Sequence, residues 1–292
     1  MSTYSIRDLE QLSGIKAHTL RIWEQRYAIL SPDRTDTNIR TYGDDDLKRV
    51  LNISLLKDHG YKISEIAKLS SEALNHEVVK ISEKQLNYPD QIHALTISML
   101  DLSEERFEKI ISTNIAQFGF ENTMVNIIYP FLSRIGTLWV TGSIGPAQEH
   151  FITNLIRQKI IVAINGLTGT PAESGKKYML FLPEGEFHEI SLLFAHYIIR
   201  SRSNKVIYLG QNLPLKELAF AHQMHQPDCI FTVLTSVPAN HEVQPFVNRM
   251  ASTFPNSQIL MTGYQVVGQD ITTPDNTGII NQINELMHIS AN

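Results

Sequence analysis

The chain has 292 residues, of which 42% are hydrophobic and 19% are charged, and its formal net charge is −5 at pH 7. These values are ordinary for a soluble globular protein and allow two domains or three small ones. No apolar run approaches the roughly 18–20 residues of a transmembrane helix, and the first five residues lack the pattern of a secretion signal. The single cysteine, Cys229, stands in an apolar run, which predicts a buried thiol and a cytoplasmic protein without disulfides.

Two helices joined by a short turn are predicted at the start of the chain. Ser5 and Asp8 have the spacing of a capping box, and Gly14 supplies the turn. The helical period places three large side chains on the inner face of the second helix: Leu20, Trp23 and Tyr27. The opposite face carries side chains that suit base edges and phosphates in a major groove: His18, Arg21, Ile22, Gln25 and Arg26.

A polar, turn-rich segment, residues 31–42, follows the second helix. It carries Arg34 and Arg40, as a short wing lying on phosphates would. Residues 1–69 hold 11 Lys and Arg against 10 Asp and Glu. Any binding of phosphates by this region therefore depends on where its positive charges lie and not on an excess of them. The alternative is a three-helix bundle whose arginines are only solvated.

Several motifs at fixed spacing resemble the MerR-type winged helix-turn-helix of bacterial transcription regulators. They are the runs Thr19–Tyr27 and Leu30–Thr35 and the spaced residues Asn38, Arg40 and Tyr42. The resemblance continues to about Leu69 and implies a DNA-binding domain over residues 1–70. It implies base contacts by four residues: His18, Thr19, Arg21 and Gln25. It implies phosphate contacts by four others: Arg26, Arg34, Arg40 and Tyr42.

The remainder of this first domain is predicted to be helical. Asp44 to Asp46 open a helix, where carboxylates cap the free N–H groups and complement the helix dipole; a metal site is the alternative reading of these three acids. This helix is expected to end near Gly60, and a shorter one follows from Ile63 to Leu69. Residues 71–90 are polar and are predicted to form a connector with some helical content.

Residues 91–170 have helical periodicity throughout and predict a four-helix-type bundle. Ser103 has the spacing of a cap for a helix through Arg106. Pro130 and Pro146 are expected to begin two further helices, because proline is favoured in a first turn.

From residue 175 to residue 292 apolar strands alternate with helical patterns. The strands are Tyr178–Leu182, Val206–Leu209, Cys229–Leu234 and Gln258–Met261, with helices expected at His188–Arg202, Pro214–Met224 and Val243–Thr253. This alternation predicts a doubly wound, Rossmann-like parallel sheet, whose ligands bind at the carboxyl ends of the strands. No G-x-G-x-x-G motif follows the first strand, so a dinucleotide site has no support.

The loop after the first strand, Pro183–Ser191, contains Glu186 and His188. Imidazole is a good ligand for transition metals, and a carboxylate near its second nitrogen fixes the tautomer and raises the basicity. Spacing alone does not show that the two side chains touch. A lone histidine near a helix start is also commonly a surface residue.

This segment resembles cobalamin-binding domains, in which an acid-x-His-x-x-Gly loop supplies the lower cobalt ligand. The resemblance implies that Glu186 and His188 form the metal site, with Ser191 in place of the family's glycine. The family's serine-and-leucine segment corresponds to Thr232–Ser236 and its Gly-Gly pair to Thr262-Gly263, so that Ser236 and Gly263 are expected to bind the cofactor. The extra atoms of Ser191 and Thr262 narrow the space for the nucleotide tail.

The bundle resembles that of light-sensing CarH-type regulators. Trp139, Glu149 and His150 match the Trp…Glu-His pattern that covers the upper face of cobalamin in that family. Val140 stands where those photoreceptors usually have a histidine directly after the tryptophan. A second, light-induced histidine ligand is therefore not expected at this position.

The predicted fold class is α + α/β and multidomain: a winged helix-turn-helix, a four-helix-type bundle and a parallel sheet domain. The predicted function is transcription regulation by a MerR-family DNA-binding protein whose binding is modulated by cobalamin, as adenosylcobalamin or a related corrinoid. Its partners would be double-stranded DNA with a near-palindromic operator and further copies of the chain, as a dimer or tetramer. One alternative is a DNA-binding regulator with a degenerate C-terminal module for oligomerisation or partner binding. A remote alternative is a cobalamin-dependent mutase or methyltransferase, for which we expect a further catalytic domain of about 250 residues.

Overall fold

The computed structural model describes residues 4–35, 38–84, 88–140, 144–168, 175–236 and 242–291. The chain divides into two compact units, residues 1–155 and residues 156–292. In the described residues the first unit is built of helices and a small two-stranded sheet, and the second contains a five-stranded sheet with helices. The domain boundaries proposed at residues 70, 90 and 170 remain predictions.

The first unit begins with the predicted helix-turn-helix and wing. Its elements in chain order are α1 (Ile6–Ser13), α2 (Ala17–Tyr27), β1 (Asp33–Arg34), β2 (Arg40–Thr41), α3 (Asp44–Asp58) and α4 (Ile63–Ile66). The capping box of Ser5 and Asp8 is formed, and Gly14 ends α1 at φ +73°, which glycine adopts without steric cost. Strands β1 and β2 pair antiparallel. Asp46 caps α3 by accepting from the backbone N–H of Gly43, as the capping prediction for the aspartates requires.

In the described parts of the predicted connector and bundle there are six further α-helices. They are α5 (Ser71–Lys84), α6 (Tyr88–Leu100), α7 (Glu104–Phe118), α8 (Phe120–Thr123), α9 (Tyr129–Val140) and α10 (Pro146–Asn165). The connector is therefore more helical than the sequence indicated, since α5 alone has 14 residues. The side chain of Ser103 accepts from the backbone N–H of Arg106 and caps α7, as predicted.

Pro130 stands next to the start of α9, as predicted, but α9 is not a separate helix. Helix α8 continues through a π-helical segment, Met124–Ile128, directly into α9. In an α-helix the proline ring would collide with the carbonyl four residues earlier. The backbone N–H of Tyr129 instead bonds to the carbonyl of Met124, five residues earlier, and this wider turn accommodates the proline.

Helix α3 packs against α6, and one pair of side chains joins the two helices near each end of their contact. Lys48 Nζ lies 2.5 Å from Asp101 Oδ1, and His59 Nε2 lies 3.2 Å from Asp90 Oδ2. The early residue of each helix pairs with the late residue of the other, so the two helices run antiparallel. Asp90 is buried, and burial raises the pKa of its carboxyl, while the nearby His59 opposes this rise.

The second unit contains an α/β arrangement in which every strand pair of the five-stranded sheet is parallel. Its elements are β3 (Lys177–Pro183), α11 (Ile190–Ser201), β4 (Lys205–Leu213), α12 (Leu215–His225), β5 (Cys229–Val233), α13 (Val243–Thr253), β6 (Gln258–Thr262), β7 (Thr277–Ile279) and α14 (Ile283–Ala291). The predicted parallel sheet is confirmed. Cys229 is a buried free thiol, as the sequence indicated.

The strand order is β4-β3-β5-β6-β7. The chain moves outward from β3 to β4 and then returns to the other side of β3 with β5. Neighbouring loops therefore diverge at the carboxyl ends of β3 and β5, and this divergence opens a crevice that ligands occupy in open α/β sheets. The loop with Glu186 and His188 follows β3, and Thr235 and Ser236 follow β5.

Candidate functional site

Helix α2 presents the polar face that its sequence predicts. His18, Arg21, Gln25 and Arg26 are exposed and Thr19 is half-buried. Leu20 and Trp23 are buried beneath them. Ile22 is 52% exposed, so one apolar side chain lies among the polar groups. This surface has the composition of a helix that reads base edges in a major groove.

The wing is attached to α2 through Glu24. Arg40 donates from Nε to Glu24 Oε1 at 2.9 Å, and the hydroxyl of Tyr42 donates to Glu24 Oε2 at 3.0 Å. Arg34 donates instead to the side-chain oxygen of Asn38, within the wing. Both oxygens of one carboxylate thus fix the position of β2 relative to the exposed face of α2.

Tyr42 needs a correction on one point. The sequence predicts a phosphate contact, but the side chain of Tyr42 is 1% exposed and its hydroxyl is bound to Glu24. Burial, together with this hydrogen bond, raises the pKa of Tyr42. In this geometry Tyr42 supports the wing and does not present its hydroxyl at the surface. Glu24 is the residue that sequence reasoning missed, because a carboxylate on a DNA-reading helix suggested no role.

The second candidate site is centred on a buried carboxylate, Glu186, at the carboxyl end of β3. Its Oε1 accepts from the backbone N–H groups of Phe187 and His188, both at 3.0 Å, and from His188 Nδ1 at 2.5 Å. Its Oε2 accepts from the backbone N–H groups of Thr235 and Ser236, both at 2.7 Å. One side chain therefore joins the loop after β3 to the loop after β5.

These contacts determine the charge of Glu186. Burial opposes its ionisation, but hydrogen bonds from the side chain of His188 and from the backbone N–H groups of Ser236, His188 and Thr235 lower its pKa to about 2. Hydrogen bonds to the charged form outweigh the desolvation of a carboxylate when several donors converge on it. Glu186 is thus a carboxylate in the folded protein at any pH near neutrality.

His188 is the exposed member of this pair, with 63% of its side chain accessible. A carboxylate oxygen accepts only, so His188 Nδ1 carries the proton of their hydrogen bond. In the neutral ring the lone pair then lies on Nε2, and the hydrogen bond to a carboxylate raises its basicity as a metal ligand. The contact that the spacing of Glu186 and His188 left open is present in the structure.

Ser236 and Gly263 lie near the same edge of the sheet. Ser236 contributes its backbone N–H to Glu186, and its neighbour Thr235, which the sequence did not single out, contributes another. The next residues of this loop, Val237 and Pro238, are outside the described residues. Gly263 has φ +108°, and a Cβ there would lie 2.5 Å from the carbonyl oxygen of Leu234. Only glycine fits this position, because any side chain would collide with backbone.

The two substituted glycine positions differ in what their side chains do. The hydroxyl of Thr262 donates to the carbonyl oxygen of Ile280 at 2.7 Å, so its polar atom is engaged beyond the end of β7. Ser191 is half-buried in the first turn of α11. Thr262 therefore has a structural hydrogen bond that accounts for its hydroxyl, whereas no hydrogen bond of the described residues accounts for that of Ser191.

The remaining predicted residues belong to the first unit. Trp139 is 47% exposed, which argues against a role as a bundle-core aromatic. His150 Nδ1 lies 2.8 Å from Glu149 Oε2, at the start of α10. Residues 141–143 and the side chain of Val140 are outside the described residues.

The chemistry of the donors fits a corrinoid and does not fit a bare metal ion. No group of three or more His, Cys, Asp or Glu side chains that could hold a metal occurs among the described residues. A metal already held by a macrocycle needs only one or two protein ligands, and His188 with its carboxylate partner offers one of the right kind.

Two protein-family models match the chain. The model of the MerR HTH family regulatory protein matches residues 4–73, and that of the B12 binding domain matches residues 91–163. The first region of the chain is therefore similar to the MerR HTH family, and the helical bundle is similar to the B12 binding domain. The B12 match covers the helical bundle and ends before the sheet that carries His188.

The relatives extend this similarity along most of the chain. The HTH-type transcriptional repressor CarH of Myxococcus xanthus is 25% identical over 267 residues, which cover 89% of this chain and 88% of that protein. The repressor CarA of the same organism is 25% identical over 233 residues, 78% of this chain and 75% of that protein. The solved monomethylamine corrinoid protein of Methanosarcina barkeri shares the fold, with a TM-score of 0.56 at 11% identity over 70% of this chain and 99% of its own.

The contacts of Glu186 predict a specific acid dependence of stability. Its pKa falls from an ordinary value of 4.5 to about 2 in the folded protein. The unfolded chain therefore binds more protons in this range, and the stabilisation is present above pH 4.5 and is lost as the pH falls through about 2. Replacement by glutamine leaves one pair of N–H donors facing an amide NH₂ and should cost about 1–3 kcal/mol near pH 7.

The measurement is denaturant unfolding of wild type and Glu186→Gln between pH 7 and pH 2.5. The difference between the two proteins should shrink as the pH falls. Glu184→Gln, in the same loop but exposed, is the matched control and should follow wild type throughout. A difference between wild type and Glu186→Gln that stays constant with pH would contradict the assignment.

Proposed function

We propose that the chain is a DNA-binding transcription regulator whose DNA binding is modulated by cobalamin or a related corrinoid in its second unit. The observation that carries the proposal is His188, exposed and oriented by the buried Glu186 at the topological switch of the sheet. The MerR HTH and B12-domain matches, and the two repressors similar along most of the chain, support the same function.

In the proposed DNA complex α2 lies in the major groove and the wing on the backbone. His18, Thr19, Arg21 and Gln25 would contact bases, whereas Arg26 and Arg34 would contact phosphates. Arg40 has a mixed role, because its guanidinium also holds Glu24 of α2. Its other nitrogens would contact a phosphate, and the pair with Glu24 would fix the side chain in advance.

In the proposed corrinoid complex each residue has a distinct task. A bound corrinoid would supply a cobalt ion that a neutral imidazole can ligate. His188 would provide that imidazole, with Glu186 holding its Nδ1 proton. Ser236 and Gly263 would line the crevice at the carboxyl ends of the strands, and Trp139, Glu149 and His150 would make further contacts with the corrinoid.

The competing function is a DNA-binding regulator whose second unit serves oligomerisation or another partner. Ser191 and Thr262 favour it, because both add atoms where cobalamin-binding domains have glycine. His188 favours the corrinoid proposal more strongly, since the backbone donors of Glu186 explain its structural role, whereas joining the two loops does not require an exposed imidazole oriented by that carboxylate. An enzymatic role is disfavoured, because the two repressors similar along most of the chain are transcriptional regulators.

The cellular location follows from the proposed function. Within the described parts of the chain, none of the helices has the length and apolar character to cross a membrane. A regulator of transcription must reach DNA, and we therefore propose a cytoplasmic protein.

Adenosylcobalamin titration of the purified protein tests the sensor. Wild type should take up the ligand with the absorbance change of a histidine-ligated cobalt, and His188→Ala should lose that change. Glu186→Gln should bind about 10–100-fold more weakly, the usual effect of removing a partner of a metal ligand. His225→Ala, which removes an exposed histidine of the same unit, should behave as wild type. Absence of uptake by wild type would favour the competing function.

Two arginine substitutions test the proposed base contacts of α2 and phosphate contacts of the wing. The affinity of each variant is measured on DNA sites selected from random duplexes. Arg21→Ala should cost about 1–3 kcal/mol at the preferred site and relax its specificity. Arg34→Ala should weaken all sequences alike and make the salt dependence shallower by about one unit. Lys216→Ala removes an equal charge from an exposed position of the second unit and should change neither. Equal loss of specificity in both arginine variants would refute the assignment.

We also propose that the regulator binds DNA as a dimer or tetramer on a near-palindromic operator. A single reading helix contacts only a few base pairs, and two-fold pairing supplies affinity and half-site spacing. Sedimentation of the protein–DNA complex should give at least two chains per site, with a two-fold symmetric footprint. A complex with one chain per site would end this proposal.

A further inference from the structure

The residue after His188 has a carboxylate that the proposed ligand set does not use. Glu189 is nearly buried, with 11% of its side chain exposed. Its Oε2 accepts from Arg157 Nε at 2.7 Å, and its Oε1 accepts from the hydroxyl of Tyr208 at 2.9 Å. Arg157 belongs to α10 and Tyr208 to β4, so Glu189 joins two elements that are distant in sequence from the loop.

The side chain of Glu189 does not cap α11, although its position would allow this. It occupies the N-cap of α11, where a short polar side chain commonly accepts from the first N–H groups, but it makes no side-chain cap. Its backbone carbonyl begins the helix by accepting from the N–H of Leu193. The carboxylate is committed to Arg157 and Tyr208 instead.

Tyr208 is well suited to donate this hydrogen bond. Its ring stacks on that of His196, with centroids 5.1 Å apart. Burial and the adjacent Glu189 raise the pKa of Tyr208, so its hydroxyl keeps its proton. Burial and the nearby Arg200 lower the pKa of His196 to about 4, so a neutral ring packs against it near neutral pH. The donor to Glu189 is therefore held by packing as well as by its hydrogen bond.

His188 thus lies between two fixed carboxylates. Glu186, two residues before it, is bound to the loop after β5, and Glu189, one residue after it, is bound to α10 and β4. A ligand side chain is useful only if its backbone is held within a fraction of an ångström, and the partners of neighbouring residues supply that rigidity.

We infer that Arg157 and Tyr208 are positioning residues for His188 and act on it through Glu189. The inference rests on the proposed function, in which His188 ligates cobalt. The part of α10 that belongs to the second unit then supports the ligand loop through one ion pair, between Arg157 and Glu189.

The test is a double-mutant cycle with adenosylcobalamin as the probe. Arg157→Gln should weaken binding about 10–100-fold in the presence of His188 and have no further effect in a His188→Ala background. Tyr208→Phe should act in the same direction, and Arg157→Lys should restore part of the affinity. Gln158→Ala, on the same exposed stretch of α10, should leave affinity unchanged. If Arg157→Gln weakened adenosylcobalamin binding by the same factor in the wild-type and in the His188→Ala background, Arg157 would have only a structural role and the inference would be overturned.

Hydrogen exchange on the apo protein gives a second, independent readout. The amides of Phe187 and His188 donate to Glu186, and they should exchange faster in Arg157→Gln, whereas the amides of β6 should keep their wild-type rates. Unchanged exchange in the loop would overturn the inference. If wild type takes up no adenosylcobalamin, the proposed function fails, and the exchange rates still decide whether Arg157 positions the loop.

Discussion

A buried carboxylate needs hydrogen-bond donors, and the way Glu186 obtains them organises the second unit. Its five donors come from two loops, and four of them are backbone N–H groups. Removing a carboxylate from water costs several kcal/mol unless such donors compensate it. The donors converge only where β3 and β5 lie side by side with their carboxyl ends at the same edge. The position of His188 therefore depends on the order of the strands in the sheet.

The sequence predicts the parts of this arrangement that depend on local patterns. The apolar runs of β3 and β5 and the amphipathic pattern of α13 are strong signals, and α13 has the predicted bounds, Val243–Thr253. The pattern gave no sign of β7, because its three half-buried residues include a glycine and form no apolar run. The π-helical segment before Pro130 was also missed, since a proline after apolar residues equally indicates a helix start.

In the candidate sites, too, the sequence predicts local features but not contacts between distant residues. Glu186 and His188 could be named from their spacing, but the donors from Thr235 and Ser236 could not, because a backbone N–H has no sequence signature. Glu24 illustrates the reverse case: its type and position were visible, yet its role depends on Arg40 and Tyr42, which approach it only when the wing folds back on α2. The periodicity of a sequence does not predict which distant residues will bind a particular carboxylate.

The contact between α3 and α6 determines how a change in the bundle could reach the DNA-reading helix. In a domain attached by a flexible linker, the bundle could move without consequence for α2. Here Lys48 of α3 is paired with Asp101, and His59, which follows α3, is paired with Asp90, at opposite ends of one antiparallel helix pair. A displacement of α6 must therefore either carry α3 with it or break these two pairs, one of which contains the buried Asp90.

Separating α3 from α6 would break the ion pair of Lys48 with Asp101 and would remove the buried Asp90 from the nearby His59, which opposes the rise in its pKa. Carrying α3 along keeps both pairs, and α3 packs against α1 and contacts α2 through Lys57, whose Nζ lies over the ring of Trp23. Rigid coupling of this kind needs no long pathway of side chains, only two helices whose ends are fixed to each other. The two side-chain pairs between α3 and α6 therefore connect the helical bundle to the helix-turn-helix region within the first unit.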